Sequence, residues 1–339
     1  MMKLEGKRIL FIAPAFFGYE QKIADKMTEL GAKVDYFDER SVTSSYERAL
    51  LKINPQIFHK KTLKYYKQII EKVSESNYDF VFVIKCEMLP IQVITKMKDM
   101  FRDATFCLYL YDSLENIKGI TNKLDYFDRV LSFDTEDSSN DSRIIFRPLF
   151  FTDDYKKELI QKEEYEFDVS FIGTIHSDRY RVIKEIKNLA DKNQYNYYFY
   201  CYLQSKFMYY FYKLTKREFS GVKKEDFEFI KIQSTQIAEI IDKTRVVLDI
   251  QHPRQTGLTM RTIEMIGMNK KLITTNQSIK EYDFYKPENI AVIDRNAVKI
   301  PDGFLELQYK KIDEHIYMKY SLENWINVVL GVESDNYKK

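Results

Sequence analysis

Residues Asp249–Asn276 read DIQHPRQTGLTMRTIEMIGMNKKLITTN, and the order of apolar and polar segments in them indicates the fold class. The apolar run Val246–Ile250, which overlaps its start, has the composition of a strand buried on both faces, and Lys271–Thr275 has it again. Between them, Met260–Gly267 predicts a helix after a polar loop. Because strand, helix and strand follow one another, the stretch predicts a parallel β-α-β unit.

The same alternation runs along the whole chain. In the first half, the predicted strands are Arg8–Ala13, Lys33–Phe37, Asp79–Ile84, Thr105–Tyr111, Arg129–Phe133 and Ile144–Phe146, and the predicted helices are Tyr19–Leu30, about Ser45–Ser74 and Pro90–Met100. In the second half, the further strands are Phe167–Ile172, Tyr197–Tyr202, Phe227–Lys231 and Ile290–Ile293, and the further helices are Tyr180–Lys192, Gln236–Thr244 and Leu322–Leu330. We therefore expect an α/β fold of two Rossmann-like domains that face each other across a cleft.

The expected domain boundaries follow from a change in composition. Residues 1–150 form the first Rossmann-like domain, and the charged, glycine-free stretch Thr152–Glu166 predicts a solvated linker or a linking helix. The pattern then restarts, so residues 151–320 form the second domain. Residues 321–339 carry the only tryptophan, Trp325, on an amphipathic helix that we expect to pack back on the first domain.

Composition excludes several classes of protein. The 339 residues contain 53 basic and 51 acidic side chains, and a net charge of +2 argues against a nucleic-acid partner. Three widely spaced cysteines without a C-x-x-C motif argue against a disulfide framework or a zinc site, so we expect a cytoplasmic protein. The first apolar run ends at Pro14 and fits a strand better than a secretion signal. No run reaches the ~18 apolar residues of a membrane-spanning helix.

Ligands of parallel α/β sheets bind beyond the carboxyl ends of the strands, so the loops there hold the candidate site residues. The first such turn, Ala13–Gly18, lacks G-x-G-x-x-G and is a poor dinucleotide site. In the second half, Gly173 and Thr174 stand where the backbone is expected to turn sharply and approach a ligand. His176 and Arg179 follow at the expected start of a helix.

An alternative explains the same segment without a ligand. Gly173 then only makes a tight turn, and Ser177 or Asp178 caps the helix.

The loop before the predicted helix Met260–Gly267 suits a diphosphate, since backbone N–H groups and the helix dipole point at an anion there. Its candidate binding residues are His252, Arg254, Thr256 and Gly257. Arg254 and Arg261 would neutralise the phosphates, and Glu264 would accept both hydroxyls of a ribose. In the alternatives, Arg261 and Glu264 form a surface pair three residues apart, and His252 is an ordinary loop residue.

Three motifs resemble one family of enzymes. DVSFIGT at Asp168–Thr174, VVLDI at Val246–Ile250 and TGLTMRTIE at Thr256–Glu264, followed by KKLITTN, are similar to the GT-B glycosyltransferases. Within these, they resemble the CgeB-like and lipopolysaccharide or capsule biosynthesis group. The resemblance covers the second half well and the first half only in overall design.

The resemblance implies a nucleotide-activated sugar as donor substrate, no metal and no separate cofactor. In related families, a Glu-x7-Glu motif places its first glutamate near the donor sugar and its second on the ribose. Glu264 matches the second glutamate, whereas Thr256 stands where the first would be. No D-x-D motif stands in a loop suited to a metal, and Asp125–Asp128 has a different spacing.

An inverting enzyme of this kind needs a general base near the acceptor hydroxyl. The candidate catalytic residues are Glu87, after the strand DFVFVI, and Asp112, after TFCLYLY. Asp112 could instead cap a helix together with Ser113, and Glu87 could be a plain loop acid. A retaining enzyme could work without either base.

Lys206–Phe219 reads KFMYYFYKLTKREF and mixes basic with aromatic residues. It could be a membrane-surface helix, a nucleic-acid contact, or an ordinary helix with one buried aromatic face and snorkelling lysines.

The leading hypothesis is a glycosyltransferase that moves a sugar to a glycan or a lipid-linked acceptor in surface polysaccharide or lipopolysaccharide synthesis, at the inner face of the membrane. The alternatives are a sugar-nucleotide epimerase of two-Rossmann design and a non-catalytic clamshell ligand-binding protein.

Overall fold

The computed structural model describes residues 3–42, 58–162, 164–253 and 256–333. Two compact units make up this part of the chain. The first combines the chain up to Pro148 with a segment from Leu322 onward, and the second comprises Leu149–Ser321.

The first unit is built on a parallel sheet of six strands. They are β1 (Arg8–Ala13), β2 (Lys33–Asp38), β3 (Phe80–Ile84), β4 (Thr105–Leu110), β5 (Arg129–Ser132) and β6 (Ile144–Phe146). Their order is β2-β1-β3-β4-β5-β6, and every neighbouring pair is parallel. The helices between them are α1 (Tyr19–Glu29), α2 (His59–Val73), α3 (Ile91–Met100) and α4 (Thr135–Asn140). Of the helix predicted at about Ser45–Ser74, residues 45–57 lie outside the described residues.

The second unit holds a parallel sheet of five strands, in the order β11-β10-β9-β7-β8. These are β7 (Phe167–Thr174), β8 (Tyr197–Tyr202), β9 (Thr244–Asp249), β10 (Lys271–Thr274) and β11 (Ile290–Val292). The helices are α5 (Arg179–Asn193), α6 (Lys206–Thr215), α7 (Ser234–Asp242), α8 (Met260–Gly267) and α9 (Glu314–Lys319).

The first helix ends where its glycine predicts. Gly31 has a φ of 99°, in the left-handed region that glycine adopts without a steric penalty after a helix. A Cβ atom at this position would stand 2.9 Å from the Cα of Glu5, so a larger residue would also collide with the preceding loop. The chain therefore reverses here and enters β2.

The C-terminal helix, α10 (Leu322–Val329), belongs to the first unit. Trp325 is fully buried, with its ring 4.7 Å from that of Tyr109 and 5.8 Å from that of Phe82 (centroid to centroid). Arg129 donates hydrogen bonds to the last two carbonyl groups of the helix, which have no partner inside it. The tryptophan and the helix end are thus both anchored in the first sheet.

The prediction of a strand at Phe227–Lys231 is wrong. Only Glu228 pairs with the edge of β8, through hydrogen bonds to the backbones of Cys201 and Leu203. Phe227 packs its ring on that of Phe219 at 5.4 Å, while Ile230 is exposed. The side chains of this segment alternate between more and less buried positions, which explains the strand-like pattern. The backbone does not form a ladder of hydrogen bonds with a neighbouring strand.

The linker predicted at Thr152–Glu166 starts inside the second unit. It contains a short 3-10 turn at Asp153–Tyr155 and no α-helix among its described residues, which exclude residue 163. Phe151 and Tyr155 are buried, and a Cβ atom on Gly267 would collide with both residues. Its first turn is therefore part of the core, and only the remainder resembles a solvated connection.

Candidate functional site

The second sheet opens at its carboxyl edge. The chain leaves β7 toward β8 on one side and returns to β9 on the other, which is the topology that forms ligand-binding crevices. Ladder pairing between β7 and β9 stops at Ser170 and Val247, whereas β7 stays paired with β8 up to Thr174. The carboxyl ends of β7 and β9 therefore diverge.

Arg179 bridges these two strand ends. Its guanidinium donates to the carbonyl oxygen of Thr174 at 2.9 Å and to that of Ile250. Burial lowers the pKa of Arg179 from its ordinary value, and the charge of Asp249 opposes that effect. Two of its nitrogens thus stabilise the backbone of the crevice.

Two histidines meet at the same place. The rings of His176 and His252 lie 5.6 Å apart, and each follows one of the diverging strands. Burial lowers the pKa of His176 to about 4, with further contributions from the charges of Arg179 and His252. A neutral imidazole at pH 7 can donate one hydrogen bond and accept another, which suits contact with a phosphate ester.

The sharp turn predicted at Gly173 lies instead at Ser177, which has a φ of 47°. Gly173 and Thr174 are the last residues of β7, and Gly173 pairs with Cys201. Its lack of a side chain still matters, because a Cβ atom there would approach the ring of Phe171 to 2.9 Å. The glycine thus makes room for an aromatic ring at the crevice.

The capping alternative for this segment is also wrong. Asp178 occupies the N-cap position of α5, but neither it nor another side chain caps the helix. Its carboxylate accepts hydrogen bonds from Arg295 at 3.0 Å and from Arg181 at 3.2 Å.

Arg295 was not among the predicted site residues. It follows the edge strand β11 and also donates to the carbonyl of Gln251 at 3.2 Å and to the hydroxyl of Thr275 at 3.3 Å. It therefore ties the ends of three strands to the turn before α5. An arginine soon after a predicted strand was the available signal.

The loop before α8 is held from two sides. Thr259 is the N-cap residue and accepts a hydrogen bond from the N–H of Thr262 at 3.1 Å. The hydroxyls of both threonines donate to one oxygen of Asp249, at 2.7 and 2.6 Å. The side chain of Asn276 donates to the carbonyls of Thr256 and Gly257 at 3.2 and 3.3 Å.

Asp249 and Asn276 were likewise missed. Each residue lies near the end of a predicted strand or just after it, and this position could have identified both as site residues. The helix itself begins at Met260, as predicted, with Thr256 and Gly257 just before it. Arg254 lies outside the described residues.

Arg261 and Glu264 form an ion pair in α8, with 2.8 Å between Nη1 and Oε2. The alternative of a surface pair is wrong in one respect, because Glu264 is only 2% exposed. Tyr155 lies nearby, and burial together with the charge of Glu264 raises the pKa of its phenol to about 12. The carboxylate is therefore enclosed, while the side chain of its arginine is 18% exposed.

The two candidate bases come together in the first unit. Lys85 lies 3.1 Å from the carboxylate of Glu87 and 3.8 Å from that of Asp112, beyond the carboxyl ends of β3 and β4. Asp112 also accepts hydrogen bonds from the N–H of Ser113 and the amide of Asn116. Asp112 precedes a 3-10 turn at Leu114–Asn116 whose N-cap residue is Ser113 and which no side chain caps, so the capping alternative is wrong, while Glu87 is a loop residue paired with Lys85.

The loop that carries Glu87 has a strained backbone. Lys85 and Cys86 have φ angles of 72° and 58°, which non-glycine residues rarely adopt and which cluster at functional sites. Lys123 donates to the carbonyls of Cys86 and Glu87, at 2.8 and 3.2 Å.

Glu39 holds the same loop through a hydrogen bond to its backbone and was not among the predicted site residues. One oxygen of its buried carboxylate accepts the N–H of Met88, and the other has no hydrogen-bond partner within the described residues. Burial raises the pKa of Glu39 to about 7, and the charge of Glu87 adds to that effect.

Aromatic side chains surround this edge. Phe16 and Phe17 are exposed in the turn after β1, with ring centroids 4.7 Å apart. Phe16 also lies 6.0 Å from the ring of Tyr111, which precedes Asp112. We call Phe16, Phe17 and Tyr111 the aromatic cluster.

The described ranges contain neither a cluster of metal ligands nor a membrane-spanning helix. No group of three or more His, Cys, Asp or Glu side chains there is placed to hold a metal ion. No helix in those ranges has both the length and the apolar character needed to cross a bilayer.

No protein-family model and no curated protein sequence matches the chain. Solved structures do. The lipopolysaccharide outer core galactosyltransferase WaaB in its apo form has a TM-score of 0.51 and 13% identity, over 96% of this chain and 99% of that one. An alpha-glucosyltransferase in complex with UDP and a 13-mer DNA has a TM-score of 0.57 and 12% identity, over 96% of each chain.

The Anabaena protein Alr3699/HepE in complex with UDP and glucose has a TM-score of 0.54 and 9% identity, over 96% of this chain and 97% of that one. At these identities the similarity concerns the fold. The predicted α/β class with two parallel sheets of Rossmann type is thereby confirmed, and the fold is similar to that of these glycosyltransferases.

Proposed function

We propose that the chain is a glycosyltransferase that takes its sugar from a nucleotide diphosphate donor. The observation that carries the proposal is the crevice between β7 and β9, where His176, His252 and the start of α8 converge on one edge of the second sheet. The fold similarity to proteins crystallised with UDP supports the same donor class.

In this proposal the second unit (about residues 151–320) holds the donor. Negative charge develops on the departing diphosphate, and fixed hydrogen-bond donors stabilise it. The N-terminus of α8 with Thr256 and Gly257, His252 and Arg261 would supply that stabilisation, together with Arg254 from the adjacent segment. Gly173, Thr174 and His176 would line the opposite wall.

Arg179 and Glu264 act at the margins of this site. Arg179 is bonded to two backbone carbonyls, so its charge would act on the phosphates while its position keeps the crevice open. Glu264, which is buried in the middle of α8, would accept ribose hydroxyls and hold Arg261 in place.

The first unit (about residues 1–150, together with α10) would bind the acceptor. The aromatic cluster and the carboxylates paired with Lys85 suit a sugar as ligand. The faces of a sugar ring are apolar, and its edges carry hydroxyls. Asp112 or Glu87 would remove the proton from the acceptor hydroxyl in an inverting reaction. We therefore favour a glycan or a lipid-linked glycan as acceptor.

The pathway and the location are finer proposals. The similarity of the motifs to the CgeB-like and capsule group, and of the fold to a lipopolysaccharide galactosyltransferase, supports surface polysaccharide or lipopolysaccharide synthesis in the cytoplasm. One structural neighbour is bound to DNA, but the net charge of +2 does not favour nucleic acid as this chain's acceptor.

One experiment tests the proposal. The purified chain is screened by thermal shift against UDP-, GDP-, ADP- and dTDP-sugars, with CMP-sugars as the monophosphate comparison, and the diphosphate donor that binds is incubated with glycan acceptors in EDTA. Sugar transfer with release of free nucleotide supports a metal-independent glycosyltransferase. A changed sugar without any acceptor would indicate an epimerase, and binding without turnover a clamshell binding protein. Either of these results would overturn the proposal.

A further inference from the structure

Helix α6 turns its apolar stripe away from its own unit. Four of its side chains are largely exposed: Phe207 (74%), Tyr210 (55%), Phe211 (47%) and Leu214 (87%). Their spacing of three, four and seven residues places them along one face of the helix. The opposite face carries Tyr209, which is buried and packs its ring 5.8 Å from that of Phe227.

This arrangement is not what the core requires. A surface helix normally buries its apolar stripe, and exposed apolar patches of this kind mark interaction sites. Tyr209 and Tyr212 already anchor the helix, because the hydroxyl of Tyr209 donates to the carbonyl of Val222 and the ring of Tyr212 lies 5.2 Å from that of Phe219. The phenyl rings of Phe207 and Phe211 lie 6.5 Å apart, so the exposed side chains form one continuous patch.

Basic side chains predominate around the patch, and the nearest acid along the chain, Glu218, pairs with Lys216 at 3.9 Å. Residues 206–217 contain four basic side chains and no acidic one, so their charge exceeds the +2 of the whole chain. Lys206 and Lys213 stand seven residues apart at one margin of the stripe, and both are exposed. Lys213 lies over the ring of Tyr209, with its ammonium 5.6 Å from the centroid.

We propose that α6 is a membrane-surface helix that inserts Phe207, Tyr210, Phe211 and Leu214 into the interface of an anionic phospholipid bilayer. An aromatic and leucine face bordered by lysines is the composition of helices that lie in the plane of such an interface. The lysines bind the headgroups while the rings enter the acyl boundary. At 10 residues the helix is too short to span a bilayer.

The helix is joined to the donor site. Lys216, just past its end, donates a hydrogen bond to the carbonyl of Ser177 at 2.7 Å, in the turn that carries His176. The docked helix would thus hold the candidate donor site next to lipid-linked acceptors. That purpose rests on the proposed function, whereas lipid binding by α6 does not and is measured without any turnover.

The test uses flotation of the full chain with vesicles of phosphatidylcholine, alone or mixed with phosphatidylglycerol. The patch variant is Phe207→Ser/Phe211→Ser/Leu214→Ser. The matched control, Ile160→Ser/Leu307→Ser, removes exposed apolar side chains elsewhere in the same unit. We expect the wild type to float with anionic vesicles, the control to match it, and the patch variant to bind at least about tenfold more weakly.

A second variant, Lys206→Gln/Lys213→Gln, tests the charge and keeps the proposal falsifiable if the patch variant fails to fold. We expect it to lose affinity only for the anionic vesicles and to bind with a weaker salt dependence. Equal flotation of wild type and both variants would overturn the proposal. So would a wild type that ignores vesicles but forms dimers that the patch variant dissociates, because the patch would then bind a second copy of the chain.

Discussion

The guanidinium of Arg261 lies 2.8 Å from the carboxylate of Glu264, one turn further along α8, and the carboxylate is enclosed by protein. Removing one partner of an enclosed ion pair leaves the other uncompensated, which costs more than the loss of a surface pair. The pair is therefore suited to hold Arg261 in one orientation at the helix start, where an anion would bind.

We expect Glu264→Gln to weaken UDP binding at least about tenfold and to lower the free energy of unfolding by about 2 kcal/mol, because Arg261 loses its counter-ion. Isothermal titration calorimetry measures the affinity. Asp302→Asn is the matched control, since it removes an exposed pair with Lys299 at the same spacing of three residues. Unchanged UDP affinity in a folded Glu264→Gln protein would reject the assignment.

Arg179 is expected to matter more for stability than for affinity. Arg179→Met leaves the carbonyls of Thr174 and Ile250 without this donor. We therefore expect the free energy of unfolding of the second unit to fall by about 2 kcal/mol. Hydrogen exchange of peptides from β7 and β9 measures that loss directly. Arg217→Met, which removes an exposed arginine of the same unit, serves as the control. Normal protection combined with lost UDP binding would make Arg179 a phosphate ligand instead.

Glu39 makes the stability of the first unit depend on pH. Its pKa is about 7 in the folded chain and 4.5 as the ordinary value, so the folded state holds the proton more tightly. Stability from this group is complete below pH ~4.5 and decreases as pH rises toward ~7, by about 3 kcal/mol in total. Glu39→Gln mimics the protonated form and lacks the decrease.

Urea unfolding followed by Trp325 fluorescence tests this, because that tryptophan is buried in the first unit. We expect wild type and Glu39→Gln to have similar stability at pH 5 and the variant to be more stable at pH 8. A constant difference between the two proteins across this range would mean that Glu39 does not titrate there. Glu87, Lys123 and Lys85 are the charged groups that act on Glu39, so their state must not differ between the two proteins.

The two candidate bases can be separated by variants. We expect Asp112→Asn or Glu87→Gln, whichever removes the base, to lower the transfer rate by about 100-fold or more, while UDP affinity stays unchanged. The other variant should change the rate only slightly, through the shared Lys85. Single-turnover sugar transfer and calorimetry give the two values. Full activity in both variants would exclude both residues as bases and would favour a mechanism without one.

Local sequence patterns were sufficient to predict most of the helices and strands. β1 and α8 begin and end at the residues that their sequences predict, because continuous apolar runs and a regular helical spacing record burial directly. Phe227–Lys231 shows the limit of that reasoning. Alternating burial looks the same with or without a partner strand, and a strand also needs backbone hydrogen bonds along its length.

Patterns within a few residues were enough to predict two α/β units and the loops in which site residues stand. The tertiary structure, in contrast, brings distant groups together. Asp178 and Arg295 are 117 residues apart in the chain, and Glu39 and Met88 are 49 apart. It also decided that the aromatic face of α6 points outward, because the orientation of a helix depends on which of its faces finds a partner in the folded unit.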